Sequence, residues 1–356
     1  MTVYVLVAIA LLIGGMSKYK KVTYQVGVII LFLLTALRNP KLAGNDYYAY
    51  SNHFALIPSL LQGKNIQDGY FEVGFNFFNA LVKTFSNEYI VFQIAYSVLV
   101  FLLMYLVIKE LQLKDGQKCL FLFSFFCFHF IWDTWVILRQ NIADWIYWCL
   151  LILAYKCPRE RKKRKWIFLF LAILLPMLFH STAKLNIVLL PVMMMIGKVS
   201  SRKRLVWVPI ISIFLFVAGD KLYNFALSLV LPYMRWDMIK YTMAESNQIN
   251  FFIRLALFVL FTWRYEAEEY PQKQLILDTF TMMVLIGSFN NVVTTRMYEY
   301  YAIGMYSSMS LILNSFERKS KLMAYFLYGF AMIFILIRFV MTFDDGQAFI
   351  KYGLFF

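Results

Sequence analysis

The chain has 356 residues, of which 61% are hydrophobic, 19% aromatic and 15% charged. A water-soluble domain is closer to half apolar and a quarter charged, so this composition excludes one. The formal charge of +15 would suggest nucleic acid in a soluble protein, but no basic stretch is interleaved with aromatics on such a domain, which excludes that partner.

Apolar runs of roughly 14 to 20 residues recur along the chain between short basic connections, near the length that crosses ~30 Å of hydrocarbon. They lack strand-like alternation, so helices are what satisfy the backbone in lipid. The expected fold is an all-α integral membrane protein, a polytopic bundle of about 12 transmembrane helices in one domain over residues 1–356. The spans fall at Thr2–Met16, Val22–Leu37, Tyr89–Ile108, Cys119–Ile137, Ile142–Tyr155, Trp166–Phe179, Leu185–Gly197, Leu205–Gly219, Phe251–Trp263, Gln274–Phe289, Met297–Leu313 and Leu322–Val340. The first is expected to be retained, since no basic region precedes it and no small-residue cleavage site follows.

Alternate connections carry Lys18/Lys20/Lys21, Lys109/Lys114/Lys118, the run from Lys156 to Lys165, Lys198/Arg202/Lys203/Arg204, Arg264/Lys273 and Arg318/Lys319/Lys321. Against their acids, Glu110, Asp115, Glu160, Glu266, Glu268, Glu269 and Glu317, these bases leave an excess equal to the whole net charge of +15. The positive-inside rule turns these connections to the cytoplasm and both termini outward. Two outer segments, 38–88 and 220–250, are longer than connectors need to be. In the first, Phe54–Leu61 and Phe71–Phe85 are amphipathic and expected along the outer interface. The second is expected to hold a surface helix around Tyr223–Leu231. Cys119, Cys127, Cys149 and Cys157 form no CxxC pair and read as packing residues.

That orientation puts a set of ionisable residues outside or at the outer ends of spans: Arg38, Asp46, Glu72, Asp133, Arg139, Asp144, His180, Lys184, Arg235, Asp237, Arg254, Arg296, Glu299, Arg338, Asp344 and Asp345. Charge at membrane depth is costly and marks cavities and function. Arg139-Gln140-Asn141 opens one span, His180-Ser181-Thr182-Ala183-Lys184 links two, and Arg296 opens another, opposite a loop with Asn45-Asp46-Tyr47-Tyr48. Arginine forks and a lysine suit phosphate oxygens, and a half-buried carboxylate suits a general base. The set fits transfer from a lipid pyrophosphate and equally a transporter of anionic substrates. An Asp-x-Asp pair, a glycine-rich phosphate loop, a Gly-x-Ser-x-Gly elbow and a HExxH motif are all missing from the sequence. The other histidines, His53 and His129, read as interface and core residues.

Several segments together resemble the EpsG/Wzy-like family of bacterial exopolysaccharide, capsule and O-antigen polymerases. They are Leu37-Arg38 with Gly44-Asn45-Asp46-Tyr47-Tyr48-Ala49-Tyr50, Phe71-Glu72-Val73-Gly74-Phe75, Leu138-Arg139-Gln140-Asn141-Ile142-Ala143, Phe179-His180-Ser181-Thr182-Ala183, and Thr295-Arg296-Met297-Tyr298 with Tyr300-Tyr301. The chain departs at Asn45, where threonine is common, and at Lys184, where an apolar residue is usual. The resemblance implies a GT-C-like glycosyltransferase in the bacterial cytoplasmic membrane. Its donor and acceptor would be undecaprenyl-diphosphate-linked oligosaccharides, its site would face the exterior, and membrane lipid and a chain-length regulator would be its other partners. No cofactor or metal is called for.

On that reading Arg139, Arg296 and Arg38 bind the donor pyrophosphate with Lys184 as a fourth cation and Gln140 beside them. Asp46 is the first choice of base and Glu72 the second. His180 carries a proton or donates to phosphate, and Tyr47, Tyr48, Tyr298 and Tyr301 meet sugars. The alternatives are a flippase for the same lipid-linked oligosaccharide and, with no visible acyl-donor site, a membrane O-acyltransferase.

Overall fold

Apolar runs flanked by charge become helices in a computed structural model of the chain, described over residues 2–39, 41, 46–67, 69–230, 248–265, 272–289, 292–320 and 330. Among the described residues there is no β-strand. The order begins with α1 (Thr2–Met16), α2 (Lys20–Ala36), α3 (Tyr47–Leu56), α4 (Val73–Phe85) and α5 (Tyr89–Glu110). It continues with α6 (Asp115–Phe125), α7 (Ile131–Trp135), α8 (Leu138–Lys156), α9 (Lys162–Met177) and α10 (Asn186–Ile196). The described helices end with α11 (Ser201–Val230), α12 (Gln248–Arg264), α13 (Lys273–Ile286), α14 (Val292–Tyr298) and α15 (Ile303–Lys319).

The helices follow the predicted spans with instructive differences. Between α6 and α7 the segment Phe126–Phe130 is π-helical, so the expected span Cys119–Ile137 is three joined pieces. The expected surface helix around Tyr223–Leu231 is instead the end of α11, a continuous helix of 30 residues. Asp220 and Lys221 stand where the span is expected to end, yet neither residue type breaks a helix. The span Leu322–Val340, apart from Phe330, lies outside the described residues, as do Arg235, Asp237, Arg338, Asp344 and Asp345.

One described helix, α5, is by itself both long and apolar enough to cross a membrane. The rest are shorter, are interrupted, or carry charge inside the apolar run. At 1.5 Å per residue the 17 residues of α2 rise only ~25 Å, short of a ~30 Å core.

α6 runs through the middle, packed by α1, α2 and α15, while α8 packs on α5 and α9. Lipid gives little hydrophobic drive between helices, so close packing and interhelical hydrogen bonds hold them. Gln93 of α5 donates to the carbonyls of Ala36 (3.0 Å) and Arg38 (2.9 Å). Trp148 of α8 donates to the Tyr300 carbonyl at 2.8 Å. Each such bond contributes about 0.6 kcal/mol in a bilayer.

A polar network overlooked in the sequence sits at the end expected to face the cytoplasm. Arg204 and Asp278, both buried, pair at 2.7 Å. Tyr155 and Gln274 also donate to Asp278, each at 2.7 Å. The inner ends of these helices thus carry a buried polar network of their own. The four cysteines are free thiols, buried or partly buried.

Candidate active site

The site begins where α4 meets the end of α9. Pro176 lies in the last turn of α9, and its carbonyl accepts from the amides of Phe179 (2.9 Å) and His180 (3.0 Å). The chain then turns extended at His180 (φ −150°, ψ 130°) and enters a short 3-10 turn, Ser181–Leu185. Gly74, in the first turn of α4, donates its amide to the Leu178 carbonyl at 2.7 Å. A Cβ on residue 74 would stand 2.7 Å from that same oxygen, so only glycine allows this approach.

The approach sets Glu72 against two partners. Its Oε1 accepts from the Ser181 amide at 2.8 Å, and its Oε2 is ion-paired with Arg139. Arg139, in the first turn of α8, also lies over the Phe71 ring at 4.3 Å and is within electrostatic reach of Tyr50. The charge-assisted bond and the ring beside the guanidinium leave this arginine little freedom.

The next residue secures the second arginine. Gln140, fully buried, donates to the Arg296 carbonyl at 2.6 Å and accepts from the Arg296 guanidinium at 3.4 Å. That guanidinium lies 5.5 Å from the Trp132 ring centroid. Buried Asp133, Asp144 and Glu299 are within electrostatic reach of it.

Asp46 and His180 feel both arginines. Burial lifts the Asp46 carboxyl above the usual carboxylate range, and the Arg296 and Arg139 charges only partly oppose this. For His180, burial and then the same two cations push the pKa down to about 3, so the imidazole is neutral at physiological pH. Its Nδ1 shares a 2.6 Å hydrogen bond with the Thr182 hydroxyl, which in turn contacts the Tyr300 hydroxyl at 3.3 Å.

Not every expected residue joins this group. Arg38 is buried elsewhere, donating to the Trp135 carbonyl at 3.2 Å and lying over that indole at 5.1 Å. It anchors the end of α2 against α7, where the sequence reading expected a third phosphate ligand. Tyr301 is fully buried and donates to Asn186 at 2.9 Å, which makes it a core residue rather than a sugar platform. Tyr298 is buried under the Arg254 guanidinium at 4.5 Å. Lys184 is exposed on the 3-10 turn. Tyr48 is exposed and packs edge-on to half-buried Tyr47 at 5.1 Å. His53 is buried between Phe71 and Phe75 rather than at an interface. His129 is a core residue hydrogen-bonded to Tyr306.

Tyr50, Phe71, Trp132, Thr182 and Tyr300 escaped sequence reasoning as site residues. Each lies within a few residues of a charged candidate, but which aromatic or hydroxyl meets which charge depends on helix rotation.

Fold and site define an all-helical membrane protein with a polar centre, two arginines among buried and half-buried carboxyl groups, built from segments far apart in the chain. The chain matches the EpsG family over residues 21–354, nearly its whole length, and belongs to that family. Membership places it among membrane proteins of polysaccharide biosynthesis. No curated protein and no solved structure matches it.

Proposed function

We propose that this chain is a polysaccharide polymerase, a glycosyltransferase that moves a growing glycan from undecaprenyl diphosphate onto a lipid-linked repeat unit. It would work as a multi-pass protein of the bacterial cytoplasmic membrane, with its centre open to the outer face. The observation that carries this reading is the shared field of Arg139 and Arg296 on Asp46 and His180. Family membership and the basic connections between helices support it.

In the proposed reaction the acceptor hydroxyl oxygen attacks the anomeric carbon of the donor sugar. Its proton passes to the Asp46 carboxylate, and the bond from anomeric carbon to diphosphate oxygen breaks. The bonding pair stays on the diphosphate, whose growing charge Arg139 and Arg296 stabilise. Asp46 suits the base because burial raises its basicity and no ion pair ties it down among the described residues. Glu72 suits it less, since one oxygen holds Arg139 and the other holds Ser181. Glu72 is better described as the residue that positions Arg139. Neutral His180 serves as a hydrogen-bond donor or acceptor to phosphate and not as a cation.

Purified protein reconstituted with undecaprenyl-diphosphate-linked repeat units tests the reading. A ladder of longer glycans is the expected product. Movement of the substrate across the bilayer without elongation would instead establish a flippase, and gain of an acyl group an acyltransferase.

A further inference from the structure

His180 lies in the field of two arginines, and which of its nitrogens carries the proton decides what it can do there. A neutral imidazole has one donor and one acceptor nitrogen, and the partner of one sets the role of the other. The backbone around the ring is already fixed. The His180 amide donates to the Pro176 carbonyl at 3.0 Å, the His180 carbonyl accepts from the Ala183 amide at 3.2 Å, and the Ser181 amide donates to Glu72 at 2.8 Å. Rotation of the ring remains, and Nδ1 restrains it through the 2.6 Å bond with the Thr182 hydroxyl.

The direction of that bond follows from counting protons. Thr182 Oγ1 lies 3.3 Å from the hydroxyl of Tyr300, a side chain only 1% exposed. Neither hydroxyl has a further hydrogen-bond partner among the described residues. With the proton on Nδ1, the ring would donate to Thr182, and either the Thr182 proton or the Tyr300 proton would lack an acceptor among those residues. Burying a donor without an acceptor is costly. In the reverse order Tyr300 donates to Thr182 and Thr182 donates to Nδ1, so every proton has an acceptor. The length agrees, since 2.6 Å is shorter than the usual ~2.7–3.2 Å of an N–H donor and suits a hydroxyl donor. Tyr300 is a firm origin for this chain of bonds. Its carbonyl accepts from Trp148 of α8 at 2.8 Å, and its ring meets Tyr147 edge-on at 5.7 Å.

We propose that Tyr300 and Thr182 are positioning residues that hold the His180 proton on Nε2, from which His180 donates a hydrogen bond to an oxygen of the donor diphosphate. The inference rests on the polymerase reading and gives His180 one role within it. Nε2 has no hydrogen-bond partner among the described residues, and the half-buried ring shares the field of Arg139 and Arg296. A neutral donor beside two guanidiniums meets the leaving group as its charge grows. The proton stays on His180 throughout, which leaves Asp46 as the base.

Solid-state nitrogen NMR of the full chain, isotope-labelled at histidine and held in nanodiscs, reads the proton directly. The sequence has three histidines, so the signal lost in His180→Gln identifies His180. Its Nε2 is expected to carry the proton in wild type, and added undecaprenyl diphosphate should shift Nε2 more than Nδ1. A proton on Nδ1, or no shift at Nε2, would overturn the proposal. Thr182→Val keeps the side-chain shape without the hydroxyl. It should give a mixture of the two tautomers and a roughly tenfold fall in kcat, with KM for the lipid-linked donor little changed. Thr182→Ser restores the hydroxyl and should recover the single tautomer and most of the rate. Tyr300→Phe removes only the first link and should lower kcat by less than Thr182→Val does. Equal loss of rate in Thr182→Val and Thr182→Ser would mean that packing, not the hydroxyl, is what matters, and the proposal would fall. If wild type shows the Nε2 proton yet makes no glycan, the polymerase reading fails while the proton assignment stands.

Discussion

Gly74 offers the sharpest test of how the site is held together. In Gly74→Ala the new methyl group would stand 2.7 Å from the Leu178 carbonyl oxygen and 2.9 Å from the Leu178 Cβ. Ordinary carbon contacts lie near ~3.5 Å, so α4 must retreat by roughly 0.7 Å. That retreat lengthens the 2.7 Å amide bond from Gly74 to Leu178 and draws Glu72 away from the Ser181 amide and from Arg139. Loss of one hydrogen bond costs about 1 kcal/mol, so the protein should still fold, with a thermal midpoint lowered by a few degrees. Misplacement of a positioning group by ~1 Å can cost about 100-fold in rate, and a fall of 10- to 100-fold in glycan elongation is expected. Gly63→Ala is the companion variant. Gly63 has φ +61° in open space, so alanine there brings about 1 kcal/mol of backbone strain and should leave elongation unchanged. Wild-type elongation in Gly74→Ala, with the protein folded, would refute the argument that this close approach sets the geometry of Glu72 and Arg139.

Arg139→Ala and Arg296→Ala should each abolish polymer while leaving expression and single lipid-linked units intact, and wild-type chain lengths in both would remove the clamp. Asp46→Asn should remove most activity. As base, wild-type Asp46 must be ionised, so the rate should fall as pH drops through its raised pKa, and the Asn variant's residual rate should lack that limb. Stability runs the other way. The folded state binds the Asp46 proton more tightly than the unfolded chain, so this contribution is lost as pH rises, and the thermal midpoint of Asp46→Asn should gain on wild type over that range. At the opposite end, Asp278→Ala leaves Arg204 buried without its carboxylate and should destabilise by about 3–5 kcal/mol. Arg204→Met with Asp278→Leu should recover much of that loss in a thermal melt.

The helices were legible because charge marks their ends. Lys20 opens α2 and Lys156 closes α8, each within a few residues of the predicted limit. The π-helical segment Phe126–Phe130 was not legible, since one added residue per turn leaves no trace in a run that is apolar on every side. Within the site, Asp46, Arg139, His180 and Arg296 were picked out individually as costly charges at one depth. Their partners were not, because a two-oxygen carboxylate such as Glu72 reads identically whether it takes a proton or holds an arginine. Arg38 misled for a related reason. Its neighbours in sequence are those of a loop cation, and only tertiary packing reveals Trp135 beneath it. Asp278 was passed over inside an apolar run, and Arg204 was counted among loop charges, so their pairing across 74 positions left no local signal.

The start of α8 ties three regions together through consecutive side chains. Successive residues on a helix point ~100° apart, so Arg139, Gln140 and Asn141 fan out toward Glu72, Arg296 and Tyr96 respectively. A twist of this one turn would shift both cations at once and unseat α5 as well. Substitutions in the surrounding loops would leave this pivot, and with it the placement of Arg139 and Arg296, undisturbed.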